Sequence, residues 1–158
     1  MGIRPRDREQ FWNLVIKKCN EHKELKTLVE VNLTKYNWFS IVKVIDDNLL
    51  TNLTKFKCRP ELNVALKDTS YSSASPKVWL IFEGENALEN RKKIRQLINK
   101  HFKDIQENCV IVSPKNNLDN DDGRQRIFIY RKEQNLNFEE EADRLLDLLY
   151  KALQLFIK

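Results

Sequence analysis

Val78-Trp79-Leu80-Ile81-Phe82 is an unbroken apolar run, and Glu83-Gly84-Glu85-Asn86 follows it. From 87 to 106 the apolar residues change period, and Leu88, Ile94, Leu97, Ile98, Phe102 and Ile105 fall on one side of a helix. A buried strand, a glycine-containing turn and an amphipathic helix in succession predict a fold that mixes both element types. The rest of the C-terminal half extends the pattern. Val110-Ile111-Val112 reads as a short strand stopped by Ser113-Pro114, and 115–124 as a polar loop passing through Asp121-Asp122-Gly123. Arg126 to Arg131 is a strand with Ile127, Phe128, Ile129 and Tyr130 as its apolar run. Residues 138–157 carry the most regular helical stripe: Phe138, Ala142, Leu145, Leu146, Leu149, Leu153 and Phe156.

Working back towards the N-terminus, 7–29 reads as helix. Asp7 is positioned to cap it, with Gln10 as the reciprocal partner. Phe11, Leu14, Val15, Lys18, Cys19 and His22 share one face, and Leu25, Leu28 and Val29 continue it after a break near Asn20. Residues 36–45 are rich in aromatic and β-branched side chains (Trp38, Phe39, Ile41, Val42, Val44, Ile45) and predict a strand. Asp46-Asp47-Asn48 suggests a turn. The pattern over 49–57 fits a short helix or a strand, Pro60 ends it, 62–67 reads as a short strand, and 68–76 as loop. The expectation is one α+β domain over 1–158, with an ordered core at about 7–157. Its sheet, mixed or mainly antiparallel, has four to five strands, and about three helices cover one side.

With 158 residues, 41% hydrophobic and 32% charged, the composition is that of a globular chain. No apolar run reaches the 18 or so residues of a bilayer-spanning helix, so no membrane partner is expected. Met1-Gly2-Ile3-Arg4-Pro5-Arg6-Asp7 has a basic start without the apolar segment of a secretory signal, and Arg6 stands where a myristoylation signal has Ser or Thr. Cys19, Cys58 and Cys109 are odd in number and widely spaced, which fits reduced thiols and a cytoplasmic location.

The chemistry-bearing patterns are weak. A restriction-like metal nuclease places an acid on one strand and acid-x-Lys on the next. Here Glu21-His22-Lys23 and Glu24-Leu25-Lys26 fall in the first helix, and Asp46 and Asp47 in a turn. Zinc wants three or four converging ligands, and only Cys19 and His22 are close together. In Asp119-Asn120-Asp121-Asp122-Gly123 the glycine is fifth, not sixth, and Tyr130 stands where a calcium loop has its bidentate Glu. Cys109 and His101 lack the setting of a nucleophile and its base. Three glycines (Gly2, Gly84, Gly123) cannot build a phosphate-cradling loop. No metal or cofactor is therefore expected, and catalysis is not the leading reading.

Charge is more informative. The formal net charge is +5, and it is unevenly spread. Residues 87–103 carry Arg91, Lys92, Lys93, Arg95, Lys100 and Lys103 against Glu89 alone, whereas 133–158 is net acidic. A second basic set, Arg124, Arg126, Arg131 and Lys132, flanks the strand with Phe128 and Tyr130, which share a face that could stack bases or be core. These ten cations are the candidate nucleic-acid-binding residues. The competing reading is a pair of solvated helices of opposite charge.

The order of residues also resembles a family. Leu80-Ile81-Phe82, a charged helix, Arg124-Gln125-Arg126-Ile127-Phe128-Ile129-Tyr130-Arg131 and a helix ending Leu153-Gln154-Leu155-Phe156 follow Phe11-Trp12 and Asn37-Trp38-Phe39-Ser40. This is similar to the DUF4268 family, small bacterial and archaeal domains of unknown function often found C-terminal to restriction-like nuclease domains. The resemblance covers most of 8–157 outside 46–75. It implies an accessory role in DNA handling or in defence against foreign DNA. The expected function is thus a non-enzymatic nucleic-acid-binding accessory domain with DNA or RNA as partner. The alternatives are a protein-interaction or homodimerisation module and a metal-dependent nuclease with a non-standard site.

Overall fold

The computed structural model describes residue 3 and residues 5–36, 38–64, 76–102, 109–112, 124–131 and 137–157, with Pro5, 109–112 and Arg131 described for the backbone alone. A 3-10 turn at Pro5–Asp7 leads into α1 (Arg8–Glu21), then α2 (Leu25–Leu28), β1 (Val29–Leu33), β2 (Phe39–Val44), α3 (Asp47–Lys55), β3 (Cys58–Asn63), β4 (Lys77–Glu83), α4 (Ala87–His101), β5 (Cys109–Val112), β6 (Arg124–Arg131) and α5 (Phe138–Gln154). The expected α+β class is what forms. Among the described residues the strands make one six-stranded sheet in the order β1-β2-β3-β4-β6-β5, with every neighbouring pair antiparallel.

The sheet has one more strand than expected because the first helix stops early. At His22 the backbone turns extended (φ −77°, ψ 120°), and the His22 Nδ1 accepts from the Leu25 N–H at 3.1 Å, starting α2. Val29 then opens a strand in which Val29 and Val31 are buried and Glu30 and Asn32 exposed. The expected Asp7–Gln10 cap is absent: Asp7 has helical dihedrals (φ −103°, ψ 0°) and caps nothing, because the 3-10 turn runs directly into α1. The ambiguous segment resolves as helix up to Lys55, and Asp47 and Asn48 of the expected turn belong to it, since Asp46 accepts from the Leu49 N–H at 2.9 Å and so caps α3. Pro60 lies inside β3 rather than ending an element. The β2–β3 ladder pairs Ile41 with Glu61 and stops there, where Pro60, lacking an N–H, would next face β2.

Strand parity sorts the side chains. Val29, Val31, Val42, Cys58, Leu62, Val78, Leu80, Phe82, Ile127 and Ile129 line one face. That face packs against α1, α3, α4 and α5 through Phe11, Val15, Leu53, Ile94, Ile98, Leu145 and Leu149, among others, as one core. The opposite face holds a smaller buried cluster of Trp79, Ile81, Phe128 and Tyr130. β4 and β5 run in the same direction with β6 between them, joined through α4, an arrangement of the split β-α-β kind. Gly84 makes the β4-to-α4 turn possible: its φ of +83° strains any side-chain-bearing residue.

Helix α5 is fixed at its start by a reciprocal capping box between Asn137 and Glu140 and along its length by seven buried residues. Asn137→Ala is expected to lower stability by about 1 kcal/mol. Leu149→Ala, at a fully buried position, should cost about 2–5 kcal/mol. Both are read as shifts of the urea midpoint at unchanged slope.

Candidate nucleic-acid interface

The described members of the two basic sets, apart from one another in sequence, lie on opposite sides of the sheet. α4 docks on the helix face through Ala87, Arg91, Ile94 and Ile98, which are buried. Arg91 is therefore an inward residue, 4% exposed. Burial, and secondarily the charge of Arg95, lowers its guanidinium below the ordinary arginine value. The outward side of α4 presents Lys92, Lys93 and Lys100, all exposed. On a helix of 3.6 residues per turn they project within about 100° of arc. None of the three has an ion pair among the described residues. Glu89 shares that arc, and Arg95 is exposed towards its flank. Lys103 lies outside the described residues.

Arg124 and Arg126 share a strand face with Phe128 and Tyr130, away from Ile127 and Ile129 and hence away from α4. Both are already engaged. Glu83 Oε1 receives Arg59 Nη2 at 2.9 Å and lies 3.7 Å from Arg124 Nη2. The Arg126 guanidinium sits 5.1 Å from the Trp79 ring centroid, a cation–π contact. The rings beside them are closed to a base: Trp79 is 5%, Phe128 0% and Tyr130 1% exposed, and Trp79 stacks on Phe128 at 4.8 Å. The Arg131 side chain and Lys132 lie outside the described residues.

Beside this arginine cluster, Glu61 is nearly buried, with its Oε2 3.3 Å from Arg59 Nη1. Burial pushes its carboxyl above the ordinary value, and Arg59 and Asn63 pull the other way. The folded chain thus holds the Glu61 proton to a higher pH than the unfolded chain does. Stability then falls as pH rises from the ordinary glutamate value of about 4.3 through the raised one. We expect the wild type to lose stability relative to Glu61→Gln over that rise, read as diverging urea midpoints across a pH series.

Three of the residues tested for catalysis or metal binding have structural places. Asp46 caps α3. Cys19 and Cys58 are buried, and burial raises both thiols, Cys19 to about 11. Among the described residues no group of three or more His, Cys, Asp or Glu could hold a metal ion.

One feature was not legible as a site. Residues 34–38 connect β1 to β2. The Thr34 hydroxyl accepts from the Tyr36 N–H at 3.1 Å and faces the carbonyl oxygens of Tyr36 and Phe39 as a donor. This holds Tyr36, Trp38 and Phe39 as an aromatic group, with Trp38 and Phe39 centroids 4.3 Å apart and Tyr36 and Phe39 at 6.1 Å with 25° between planes. Lys35 Nζ lies 5.1 Å from the Tyr36 centroid. Beside the group is a cleft of about 340 Å³ lined by Glu9, Trp12, Leu33, Thr34, Lys35, Tyr36 and Trp38. The aromatics had signalled only strand.

No family model matches the chain, and neither does any curated protein or solved structure.

Proposed function

We propose that this protein is a nucleic-acid-binding accessory domain that acts by binding rather than catalysis. Its main phosphate contact is the outer face of α4. The observation that carries this is the position of Lys92, Lys93 and Lys100: one outward arc, exposed, none of them in an ion pair among the described residues, with Glu89 as the acid on that arc. Cations in excess in that arrangement attract a polyanion and release its counterions on contact. The flanking Arg95 adds to the same field. Arg91, docked inward, and Arg124 and Arg126, occupied on the far face, contribute less than a count of charges suggests. The resemblance to domains that accompany restriction-like nucleases favours DNA handling or defence as the setting.

The test is fluorescence anisotropy with labelled single-stranded and duplex DNA and RNA across a salt series. Binding that weakens steeply with salt is expected. Changing Lys92, Lys93 and Lys100 together to Gln should weaken it and flatten the log–log salt slope by about two to three. Absence of binding at low salt, or binding unmoved by the triple change, overturns the reading and turns attention to a protein partner or a homodimer.

A further inference from the structure

The aromatic connection between β1 and β2 joins two properties that the outer face of α4 lacks, exposed ring surface and a cleft. Tyr36 is 49% exposed, and Trp38 and Phe39 are half-buried. A large aromatic side chain left partly in water is normal when isolated, but three in contact beside a cavity form a surface with something to gain from a planar partner. The cleft, at about 340 Å³, is at the small end of ligand-sized pockets.

The surrounding charges sort the candidate partners. Glu9 forms part of the cleft wall, and its carboxylate repels phosphate. The same carboxylate accepts readily from an exocyclic base amine. Lys35 is exposed at the rim, with its ammonium over Tyr36. An unpaired nucleotide fits this polarity, with its base against the rings and the Glu9 side and its phosphate at Lys35. A duplex does not fit, because its base faces are already stacked. Aromatic-lined grooves also receive proline-rich peptides, but such a peptide has no use for the rim lysine or for the chain's net charge of +5.

We infer that Tyr36, Trp38 and Lys35, in the connection between β1 and β2, form a stacking site for an unpaired nucleobase, so that single-stranded nucleic acid is the polymer this protein holds. The inference rests on the nucleic-acid reading above and names the polymer class. Thr34 is a positioning residue here, since its hydroxyl holds the turn that presents the rings. The aromatic contact supplies base stacking, and the α4 lysines supply phosphate attraction to the same polymer.

Tryptophan fluorescence reads the site directly. Of the three tryptophans, Trp12 and Trp79 are buried at 0% and 5% exposure, which leaves Trp38 as the one open to a stacking base. Titration with a 12-nucleotide single strand is expected to quench that emission, and the same sequence as a duplex should quench it far less. Tyr36→Ala and Trp38→Ala should each weaken single-strand binding by about 5- to 150-fold. Lys35→Gln, which removes the rim charge and its contact with the Tyr36 ring, should weaken it less and lower the salt slope. Tyr36→Phe should restore binding, and thermal melts verify that each variant is folded.

The two levels fail differently. If no nucleic acid binds the wild type, the underlying reading falls and this inference with it. If the α4 lysine changes weaken binding while Tyr36→Ala and Trp38→Ala do not, or if duplex binds as tightly as single strand, the reading stands and the stacking site is refuted. Quenching of Trp38 by a proline-rich peptide but not by the oligonucleotide also refutes it.

Discussion

The molecule is organised around a strand with no free surface. Val78, Leu80 and Phe82 face the helices, while Trp79 and Ile81 face the other way, and all five are at most 5% exposed. Both edges of β4 are also taken, by β3 and by β6. A strand covered on both faces reads as a continuous apolar run because alternation has no purpose there. Its consequences spread outward. Gly84 turns the chain directly into α4, and docking of Ala87, Ile94 and Ile98 fixes that helix's rotation. Once the rotation is fixed, Lys92, Lys93 and Lys100 have only solvent to face. The basic surface is thus a by-product of where the core needs apolar residues.

Parity in β6 explains why the second basic set does not join the first. Gln125, Ile127 and Ile129 point to the helix face, so Arg124, Arg126, Phe128 and Tyr130 point away from it. A register slip of one residue would invert this assignment, and burial on both faces prevents the slip. On that far face the arginines answer local demands. Glu83 and Glu61 are matched by Arg59 and Arg124, and the Trp79 ring by Arg126. The half-exposed pairs to Glu83 add little stability, being screened by water. They do use up charge that a tally of cations assigns to a ligand.

The elements that were legible in the sequence are those with a long, clean period. The strands at 78–82, 110–112 and 126–131 and the helix from 138 fall close to where periodicity puts them. The helix from 87 begins as expected and is described to His101. Val29 misled because it fits two patterns, the last position of a helical stripe and the first of an alternating strand, and a cap at His22 decides between them. Pro60 misled because proline ends most strands, yet here its missing N–H coincides with the end of a ladder. For the candidate site, the outward lysines follow from helical period alone. The inward position of Arg91 follows from the same period, four residues after Ala87 and three before Ile94, but its charge assigned it to the basic surface instead. The hairpin was hidden for a different reason. Tyr36, Trp38 and Phe39 carry strand propensity, and only the Thr34 hydroxyl, acting over two residues, shows that the chain turns there.

That hydroxyl also bears on what the hairpin is suited to do. Presenting aromatic rings to solvent is unfavourable unless they pack on one another, and on a mobile loop most of any gain from binding would be offset by ordering it. Here the turn is tied at both ends. Thr34 bonds across it to Tyr36 and Phe39, and the Trp38 carbonyl accepts from the Val64 N–H at 2.8 Å, fixing the chain to the residue after β3. Trp12, fully buried in α1, is among the residues that line the cleft. These hydrogen bonds set the positions of the rings without a partner present. The acidic first turn of α5, Glu139, Glu140 and Glu141, is favoured by the helix dipole at its own N-terminus. It disfavours phosphate nearby.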